Sequence, residues 1–306
     1  MVARISRRRA MDPTSAPFYA RVVITVILIL LSMLFVLPFV LMLVASFTTE
    51  AEIMRNGFSL IPSGVTFAAY VYLFESSSQF VNAFKITSSL TVIGTINALM
   101  FTSLGAYALS KRSLPYRNIL TMFVFITMLF NGGLIPWYLV IKGLGLTNTF
   151  LALFIPSTIQ VWNMIIMRNF FMSLPESLEE SAKLDGASDL TVFFRIVLPL
   201  SAPILATMVV YMGVGYWNEW YNALILNTTR KELYTLQLLL RQILSTSVVT
   251  VTSRGGVKVV NTTGGVTPSE SLRMASVMVA TIPILVIYPF LQRYFVKGIM
   301  IGSIKG

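Results

Sequence analysis

The sequence predicts an all-α integral membrane protein with six transmembrane helices, and three properties of the 306-residue chain lead to that prediction. Hydrophobic residues make up 56% of the chain and charged residues only 11%, whereas a soluble domain usually carries about a quarter charged residues. The mean hydropathy is +0.78. Six apolar runs also approach or exceed the length of about 20 residues that a helix needs to cross a bilayer.

The six runs are distributed along the whole chain, and the first contains no charged residue. That first run is longer than the apolar core of a secretory signal peptide, so we interpret it as a retained membrane anchor. The fourth and fifth runs contain more polar residues than the others. The predicted spans are 22–47, 84–109, 119–141, 150–167, 203–226 and 275–291.

The distribution of basic residues predicts the orientation. Lys and Arg number 23 against 12 Asp and Glu, a formal charge of +11. In so apolar a chain this excess favours short loops held in the cytoplasm rather than nucleic-acid binding. The N-terminal segment 1–21 and the connection between the second and third spans are basic, which predicts that both termini are cytoplasmic. The loop 227–274 would then lie outside although it is basic, because long loops translocate with less regard to charge.

The chain contains no cysteine and no histidine. Disulfides, Cys/His zinc sites and imidazole bases are therefore excluded. No lysine follows a glycine, so a nucleotide-hydrolysing P-loop is absent as well. If the protein does ATP-driven work, another chain must hydrolyse the ATP.

The loop 173–203 between the fourth and fifth spans predicts a helix-turn-helix on the cytoplasmic side. Ser173 and Glu176 have the spacing of a capping box at the start of the first helix, and Gly186 suits the left-handed residue that ends it. Carboxylates are favourable at that helix's positive end. The first helix carries acidic residues and an apolar stripe: Glu176, Glu179 and Glu180, with Leu174, Leu178 and Ala182.

The second helix of this loop is predicted to begin after Ser188, which can cap it, and to stop at Pro199, which cannot donate the helical hydrogen bond. Its apolar residues are bulky, so the segment either docks on a partner protein or packs against the chain's own core.

This loop closely resembles the EAA loop of the membrane subunits of binding-protein-dependent ABC importers, whose usual form is E-A-A-x-x-D-G-A-x5-F-x-x-I-x-L-P. Ser181 replaces the first alanine, a small residue for a small residue. The resemblance extends from about Val22 to the end of the chain and implies the type I importer permease fold, with a permease domain at 22–296 and a cytoplasmic tail at 297–306. The matching residues are Glu180, Ala182, Asp185, Gly186, Ala187, Phe193, Ile196, Leu198 and Pro199.

In that family two homologous membrane subunits form one pore, and an ATPase dimer that binds ATP and Mg binds beneath them. The resemblance implies that Glu180, Asp185 and Gly186 shape a turn that inserts into an ATPase cleft. It also implies an extracellular or periplasmic solute-binding protein at the outer loops, and a location in the inner membrane of a prokaryote. The chain itself would then be no enzyme and would hold no cofactor or metal. Three further residues of the motif would pack the turn: Ala182, Ala187 and Phe193.

Three other stretches resemble the maltose-type carbohydrate branch of the family. The glycine-spaced tail 296–306 is similar to the tail of that branch, and 131–149 and 163–171 are similar to permeases for oligosaccharides derived from complex polysaccharides. The resemblance implies a carbohydrate substrate.

Polar residues within the fourth and fifth spans are candidates for the substrate pathway. Glu219 should face protein or water, because an acidic residue deep in lipid costs roughly 2.5–3.5 kcal/mol on insertion scales. Aromatic rings beside amides and a carboxylate suit a sugar, but an aromatic belt at the outer interface explains the cluster equally well. The candidates are Trp162, Asn163, Tyr216, Trp217, Asn218 and Glu219.

The outer loop 227–274 contains two further predicted elements. Leucines at helical spacing favour an amphipathic helix over 231–244. A mobile loop or a hairpin is expected over 245–271, where the pairs Gly255–Gly256 and Gly264–Gly265 are turn signals.

Two functions from other classes are alternatives to an importer subunit. An ion-coupled secondary transporter of a small polar solute also uses intramembrane carboxylates, but the six spans show no inverted repeat and the EAA match would be unexplained. An intramembrane hydrolase would need a pair of carboxylates, and only Glu219 lies within a span.

Overall fold

The computed structural model describes residues 17–245, 248–253, 256–261 and 269–303. The N-terminal arginines of segment 1–16, the predicted turn at Gly264–Gly265 and the last three residues of the tail lie outside the described residues. The described chain forms two compact units, Met1–Ala69 with Ser269–Met278 and Tyr70–Pro268 with Val279–Gly306.

The first unit contains the first predicted span and the start of the last one. Its helices are α1 (Phe18–Ser46), α2 (Glu50–Asn56) and the beginning of the last helix, which runs from Glu270 to Ser303. The carboxylate of Glu50 accepts hydrogen bonds from the backbone N–H groups of Glu270 (3.1 Å) and Ser271 (3.2 Å). Because the first N–H groups of a helix have no partner within it, this carboxylate fixes where the last helix begins.

The second unit is built around one long helix, which packs against the helices of the fourth and fifth spans. Small and apolar side chains on that helix, such as Ala98 and Ala106, are almost completely buried and allow the close packing. The elements that follow α2, with a short α3 first, are α3 (Ala68–Val71), α4 (Ser78–Ser110), α5 (Arg117–Leu129), α6 (Leu134–Gly143), α7 (Val161–Phe171), α8 (Glu176–Leu184), α9 (Asp189–Val192), α10 (Leu198–Leu200), α11 (Ala202–Trp217), α12 (Tyr221–Leu226), α13 (Leu236–Ser245), β1 (Val248–Ser253), β2 (Gly256–Asn261) and α14 (Glu270–Ser303).

Three helices of the described chain are long and apolar enough to cross a membrane, and the number rises to six if each of three bent helix pairs counts as one span. The long helices are α1, α4 and the Glu270–Pro289 part of α14. They correspond to the first, second and sixth predicted spans. These helices are compatible with a six-span membrane fold in which three spans are bent helix pairs.

The continuous third span predicted for 119–141 is wrong. The chain bends by 114° between α5 and α6. Gly133 has a φ of +89°, and its N–H donates to the side-chain oxygen of Asn131 at 2.9 Å. A left-handed glycine held by a local asparagine bond forms a turn, which hydropathy alone does not reveal.

The fourth and fifth spans are interrupted as well. The fourth consists of two 3₁₀ turns, Leu151–Leu153 and Ile155–Ser157, followed by α7 after a bend of 53°. In the fifth predicted span the regular helix α11 ends at Trp217, and the separate short helix α12 follows it.

The segment after α12 contains the predicted helix and, of the loop or hairpin expected after it, a hairpin. A 3₁₀ turn at Lys231–Leu233 precedes α13, so the helix is confirmed but begins later than the leucine spacing indicated. Strands β1 and β2 pair in antiparallel register, with Val248 opposite Asn261 and Ser253 opposite Gly256. This small sheet and an isolated antiparallel bridge between Thr48 and Val65 are the departures from an all-helical architecture in the part of the chain that the structure describes.

Candidate functional site

The segment 173–203 forms two helical arms joined by a tight turn. The first arm is α8, and the second runs through α9, a π-helical turn at Phe193–Val197 and α10. The predicted helix-turn-helix is thus confirmed. The second arm then meets α11 at a bend of 84°.

The turn between the arms has the hydrogen bonds of a Schellman motif. The N–H of Gly186 donates to the carbonyl of Lys183 at 3.0 Å, and the N–H of Ala187 donates to the carbonyl of Ala182 at 3.0 Å. The φ of Gly186 is +86°, as the sequence predicted. No atom lies within 4 Å of where a Cβ of Gly186 would be. The requirement for glycine here comes from the backbone conformation and not from crowding.

One of the two predicted caps is present. The hydroxyl of Ser188 accepts the N–H of Thr191 at 3.3 Å and caps the second arm. The capping box of Ser173 and Glu176 is wrong: α8 begins at Glu176, after Pro175, and Ser173 instead donates to the carbonyl of Phe170 at 2.6 Å. Glu176 lies at the first position of the helix and is not in the third position that a capping box needs.

Pro199 does not end the second arm, which is also a correction. It lies in α10, one residue before the helical path ends, so the predicted stop is displaced by one residue. The helical path continues to Leu200, and the bend into α11 follows at Ser201.

The two faces of the segment have different surroundings. Phe193 is 1% exposed and belongs to the core of the second unit, against which Ala182 and Ala187 also pack. The three residues expected to pack the turn therefore face this chain's own bundle. The opposite face is exposed to solvent and carries Glu180, Leu184, Asp185, Gly186, Leu190 and Phe194.

Two ion pairs attach α8 to the connection between α4 and α5. Lys111 pairs with Glu179, with about a fifth of each side chain exposed, and the guanidinium of Arg112 binds Glu176 at 2.9 Å in an exposed position. The sequence reasoning assigned Lys111 and Arg112 only to the charge bias of a cytoplasmic loop. The acidic character of α8 was the signal that could have identified them as its partners.

Tyr107, in the last turn of α4, contacts the second arm, α7 and the side chain of Lys111. Its ring lies 5.0 Å from the ring of Phe193 and 6.4 Å from the ring of Phe171, and the ammonium of Lys111 lies 3.9 Å from its centroid. A cation over an aromatic face is an attractive arrangement. The end of α4 thus holds both arms of the turn.

Glu219 lies in the break between α11 and α12. Its carboxylate accepts hydrogen bonds from the backbone N–H of Asn222 at 2.7 Å and from the side-chain amide of Asn222 at 3.2 Å. Asn222 is thus a partner of this carboxylate within the chain. Its negative charge lies at the positive end of α12, where it stabilises the start of that helix.

The other five pathway candidates divide into buried and exposed residues. Tyr216, Trp217 and Asn163 are buried in the second unit, where the Tyr216 hydroxyl donates to the carbonyl of Ser157 (3.3 Å) and the Trp217 indole donates to the carbonyl of Ala280 (2.9 Å). Their surfaces are used in packing within the chain. Trp162, which is 58% exposed, and Asn218 are the two exposed members.

A second polar cluster surrounds the break in the fourth span. The hydroxyl of Thr158 donates to the side-chain oxygen of Asn97 at 3.0 Å, and the amide of Asn163 donates to Gln160 at 3.1 Å. Asn97 therefore bonds between helical segments, an interaction typical of polar residues within membrane helices. Within the described residues, no group of three or more metal-ligating side chains occurs.

Comparison with known proteins places these features in a family context. Residues 102–301 match the model of the family described as "Binding-protein-dependent transport system inner membrane component". Protein LplC of Bacillus subtilis is 43% identical to this chain, and the match covers 89% of this chain and 90% of that protein.

Two further matches carry names that mention a polysaccharide. The polygalacturonan/rhamnogalacturonan transport system permease protein YtcP of Bacillus subtilis is 42% identical, over 91% of this chain and 96% of that protein. A crystal structure of a bacterial ABC transporter involved in the import of the acidic polysaccharide alginate matches with a TM-score of 0.80 and 27% identity. That match covers 92% of this chain and the whole of the other.

Proposed function

Because the chain belongs to the family of binding-protein-dependent transport system inner membrane components, we propose that it forms half of the translocation pathway of an ABC importer for carbohydrates. Membership of this family makes it a membrane transport component and not an enzyme. The second half of the pathway is a homologous permease subunit. ATP and Mg²⁺ bind to a separate pair of ATPase subunits, and no cofactor is assigned to this chain.

The observation that carries the proposal is the two-faced packing of segment 173–203. One face is fixed to the chain's own bundle by Phe193, Ala182 and Ala187, while the opposite face exposes Leu184 at 89% and Leu190 at 61%. An exposed apolar surface of this kind is typical of a protein–protein contact. Because the turn is rigid, movement of an ATPase subunit bound to it would reach the membrane helices instead of being absorbed.

The orientation follows from this assignment. The ATPase subunits are cytoplasmic, so segment 173–203 lies on the cytoplasmic side, together with Lys111 and Arg112. The N- and C-termini then lie on the same side. Segment 227–274 lies outside, where a solute-binding protein delivers the substrate.

The substrate class is supported by the relatives' names together with the chain's own outer surface. YtcP is named for polygalacturonan and rhamnogalacturonan, and the solved transporter imports the acidic polysaccharide alginate. In this chain the guanidinium of Arg241 lies 3.6 Å from the ring centroid of Trp220. This stacking limits the orientations that the guanidinium can adopt. A carboxylate-bearing oligosaccharide fits such a group, because a guanidinium binds carboxylates in a bidentate manner.

The pathway candidates are proposed to act in two ways. Asn218 and Trp162 are exposed and are assigned to contact with the sugar, since an amide and an aromatic ring offer hydrogen bonding and stacking. Glu219, Tyr216, Trp217 and Asn163 are assigned to shaping the pathway from within the chain, because the carboxylate, the hydroxyl, the indole N–H and the side-chain amide N–H each bond to a group inside it.

The coupling role is tested by comparing two glycines with the same backbone requirement. Gly186 and Gly145 have φ values of +86° and +70°, and both have open space where a Cβ would lie. We expect Gly186→Asp to lower ATP-driven uptake of an oligogalacturonate by at least about tenfold, because strain and a new charge are placed at the docking turn. Glu180→Arg should act in the same direction.

Gly145→Asp introduces the same local strain away from the turn and should stay within about twofold of wild type. Membrane insertion of each variant is measured alongside uptake, and co-purification of the second permease and the ATPase is measured for the wild type. Wild-type uptake by correctly assembled Gly186→Asp complexes would contradict the coupling role.

A further inference from the structure

The long helix α4 connects the coupling segment with the outer part of the second unit. With 33 residues it is about 50 Å long at 1.5 Å per residue. Near its N-terminal end, the hydroxyl of Thr87 accepts the N–H of Leu236 at 2.8 Å, at the start of α13. Gln237 of α13 donates in turn to the side chain of Asn218 at 2.9 Å, in the break between α11 and α12.

At its other end, α4 contacts both arms of the coupling segment. The first arm is attached through the ion pair of Lys111 and Glu179, and the second through the rings of Tyr107 and Phe193, 5.0 Å apart. One turn further along α8, Lys183 binds Asp189 of the second arm at 2.8 Å. The two arms are therefore attached both to each other and to one end of α4.

The two ion pairs that join α8 to the connection between α4 and α5 differ in burial. We therefore expect the more buried pair to contribute more to this attachment. The side chains of Lys111 and Glu179 are 17% and 21% exposed, whereas those of Arg112 and Glu176 are 74% and 59% exposed. Exposed ion pairs contribute little, while removing one partner of a more buried pair leaves a poorly solvated charge. Burial lowers the pKa of Lys111 to about 8, and the nearby charge of Lys183 acts in the same direction. The nearby carboxylates of Asp189 and Glu176 act in the opposite direction and raise the Lys111 pKa.

We propose that Lys111 is a positioning residue that joins α8 to α4, so that movement of the coupling turn reaches α13 and the Asn218 break through α4. The inference rests on the proposed coupling function and adds the path by which the movement leaves the turn. The path uses only contacts within the second compact unit.

The chain contains no cysteine, so single engineered cysteines can carry fluorescent reporters without background. One reporter is placed on α8 at Ser177→Cys and another at the end of α13 at Leu244→Cys; both positions are exposed. Signals are recorded in the full importer complex with and without Mg–ATP. In the otherwise wild-type chain, both reporters should respond to ATP.

Lys111→Glu should leave the response on α8 in place and reduce the response on α13 by at least about fivefold, the lower end of ordinary coupling free energies. The double variant K111E/E179K should restore it, because the ion pair is re-formed with reversed charges. Arg112→Glu, which breaks the exposed pair, is the matched control and should stay within about twofold. If Lys111→Glu does not assemble, Lys111→Gln is measured instead.

Responses of both reporters in Lys111→Glu, or loss of both, would overturn the role of Lys111, as would failure of the reversed pair to restore the α13 signal. An α8 reporter that does not respond to ATP even in the otherwise wild-type chain would instead contradict the proposed coupling function. The two failures are therefore distinguishable.

Discussion

Glu219 illustrates, at the scale of single residues, how a charge is accommodated inside an apolar bundle. Its carboxylate binds the backbone and side-chain N–H groups of Asn222 at 2.7 and 3.2 Å. Hydrogen bonds to an ionised acceptor are about twice as strong as neutral ones. The residue that sequence reasoning singled out as a substrate contact therefore also has a structural task, which is to start α12.

Replacing Glu219 by glutamine tests both tasks. Glu219→Gln keeps the shape and one acceptor but removes the charge, so we expect α12 to start less firmly and uptake to fall by about threefold to tenfold with unchanged assembly. Uptake rate and apparent affinity are measured with an oligogalacturonate. Glu232→Gln, an exposed carboxylate near Arg230, serves as the control. Unchanged kinetics in Glu219→Gln would contradict a place beside the pathway.

At the scale of elements, the turn between α8 and the second arm carries an exposed ion pair. Its arms are joined by the ion pair of Lys183 and Asp189. The hydrogen bond from Lys183 lowers the pKa of the Asp189 carboxyl below its usual value. A lowered carboxyl pKa means that the stabilisation is fully present above the unfolded-state pKa of about 3.9 and is lost as the pH falls through the lower folded-state value.

Hydrogen exchange of the turn amides tests this linkage. After correction for intrinsic exchange rates, protection of Gly186 and Ala187 should stay constant from pH 8 to about pH 5 and decrease only below about pH 3.9. Asp189→Asn should reduce the protection already at neutral pH. Asp185→Asn is the control, because Asp185 forms no ion pair within the described ranges. Equal protection in wild type and Asp189→Asn at neutral pH would show that the Lys183–Asp189 ion pair does not stabilise the turn.

At the scale of the whole molecule, charge is distributed unevenly along an apolar chain. The formal charge is +11, and the segment 227–274, proposed to lie outside, carries six basic residues, Arg230, Lys231, Arg241, Arg254, Lys258 and Arg273, against two acidic ones, Glu232 and Glu270. A surface with one excess sign of charge attracts ligands of the opposite sign, and salt screens that attraction.

Salt dependence of uptake tests this property. Uptake of an oligogalacturonate by the full importer should decrease as ionic strength rises from about 0.01 to 0.15 M, where the Debye length shortens from about 30 to 8 Å. A neutral oligosaccharide of equal length should show a much flatter dependence. Arg241→Gln should reduce the difference between the two sugars, whereas Arg112→Gln, an exposed cation on the proposed cytoplasmic side, should not. Identical salt dependence for both sugars would contradict an acidic substrate class.

Most of the architecture could be predicted from the sequence because its main determinant is composition. Apolar runs of spanning length predicted α1, α4 and α14, and the EAA motif predicted the two arms and the left-handed Gly186. The breaks within the third, fourth and fifth predicted spans could not be predicted, since a turn at Gly133 or a helix end at Trp217 changes backbone geometry without changing hydropathy. Pro199 was assigned the wrong effect because its consequence depends on where the helical turn around it begins.

The sequence by itself determined that this is a membrane component without its own ATPase chemistry, because length, hydropathy and the absence of a P-loop are properties of residues taken one after another. Only the tertiary structure decided that Phe193 faces inward and Leu184 outward, that Tyr216 and Trp217 are used in packing, and that Lys111 binds Glu179. Those outcomes depend on which surfaces meet in space, since residues nearly 70 positions apart become neighbours only when α4 and α8 pack together.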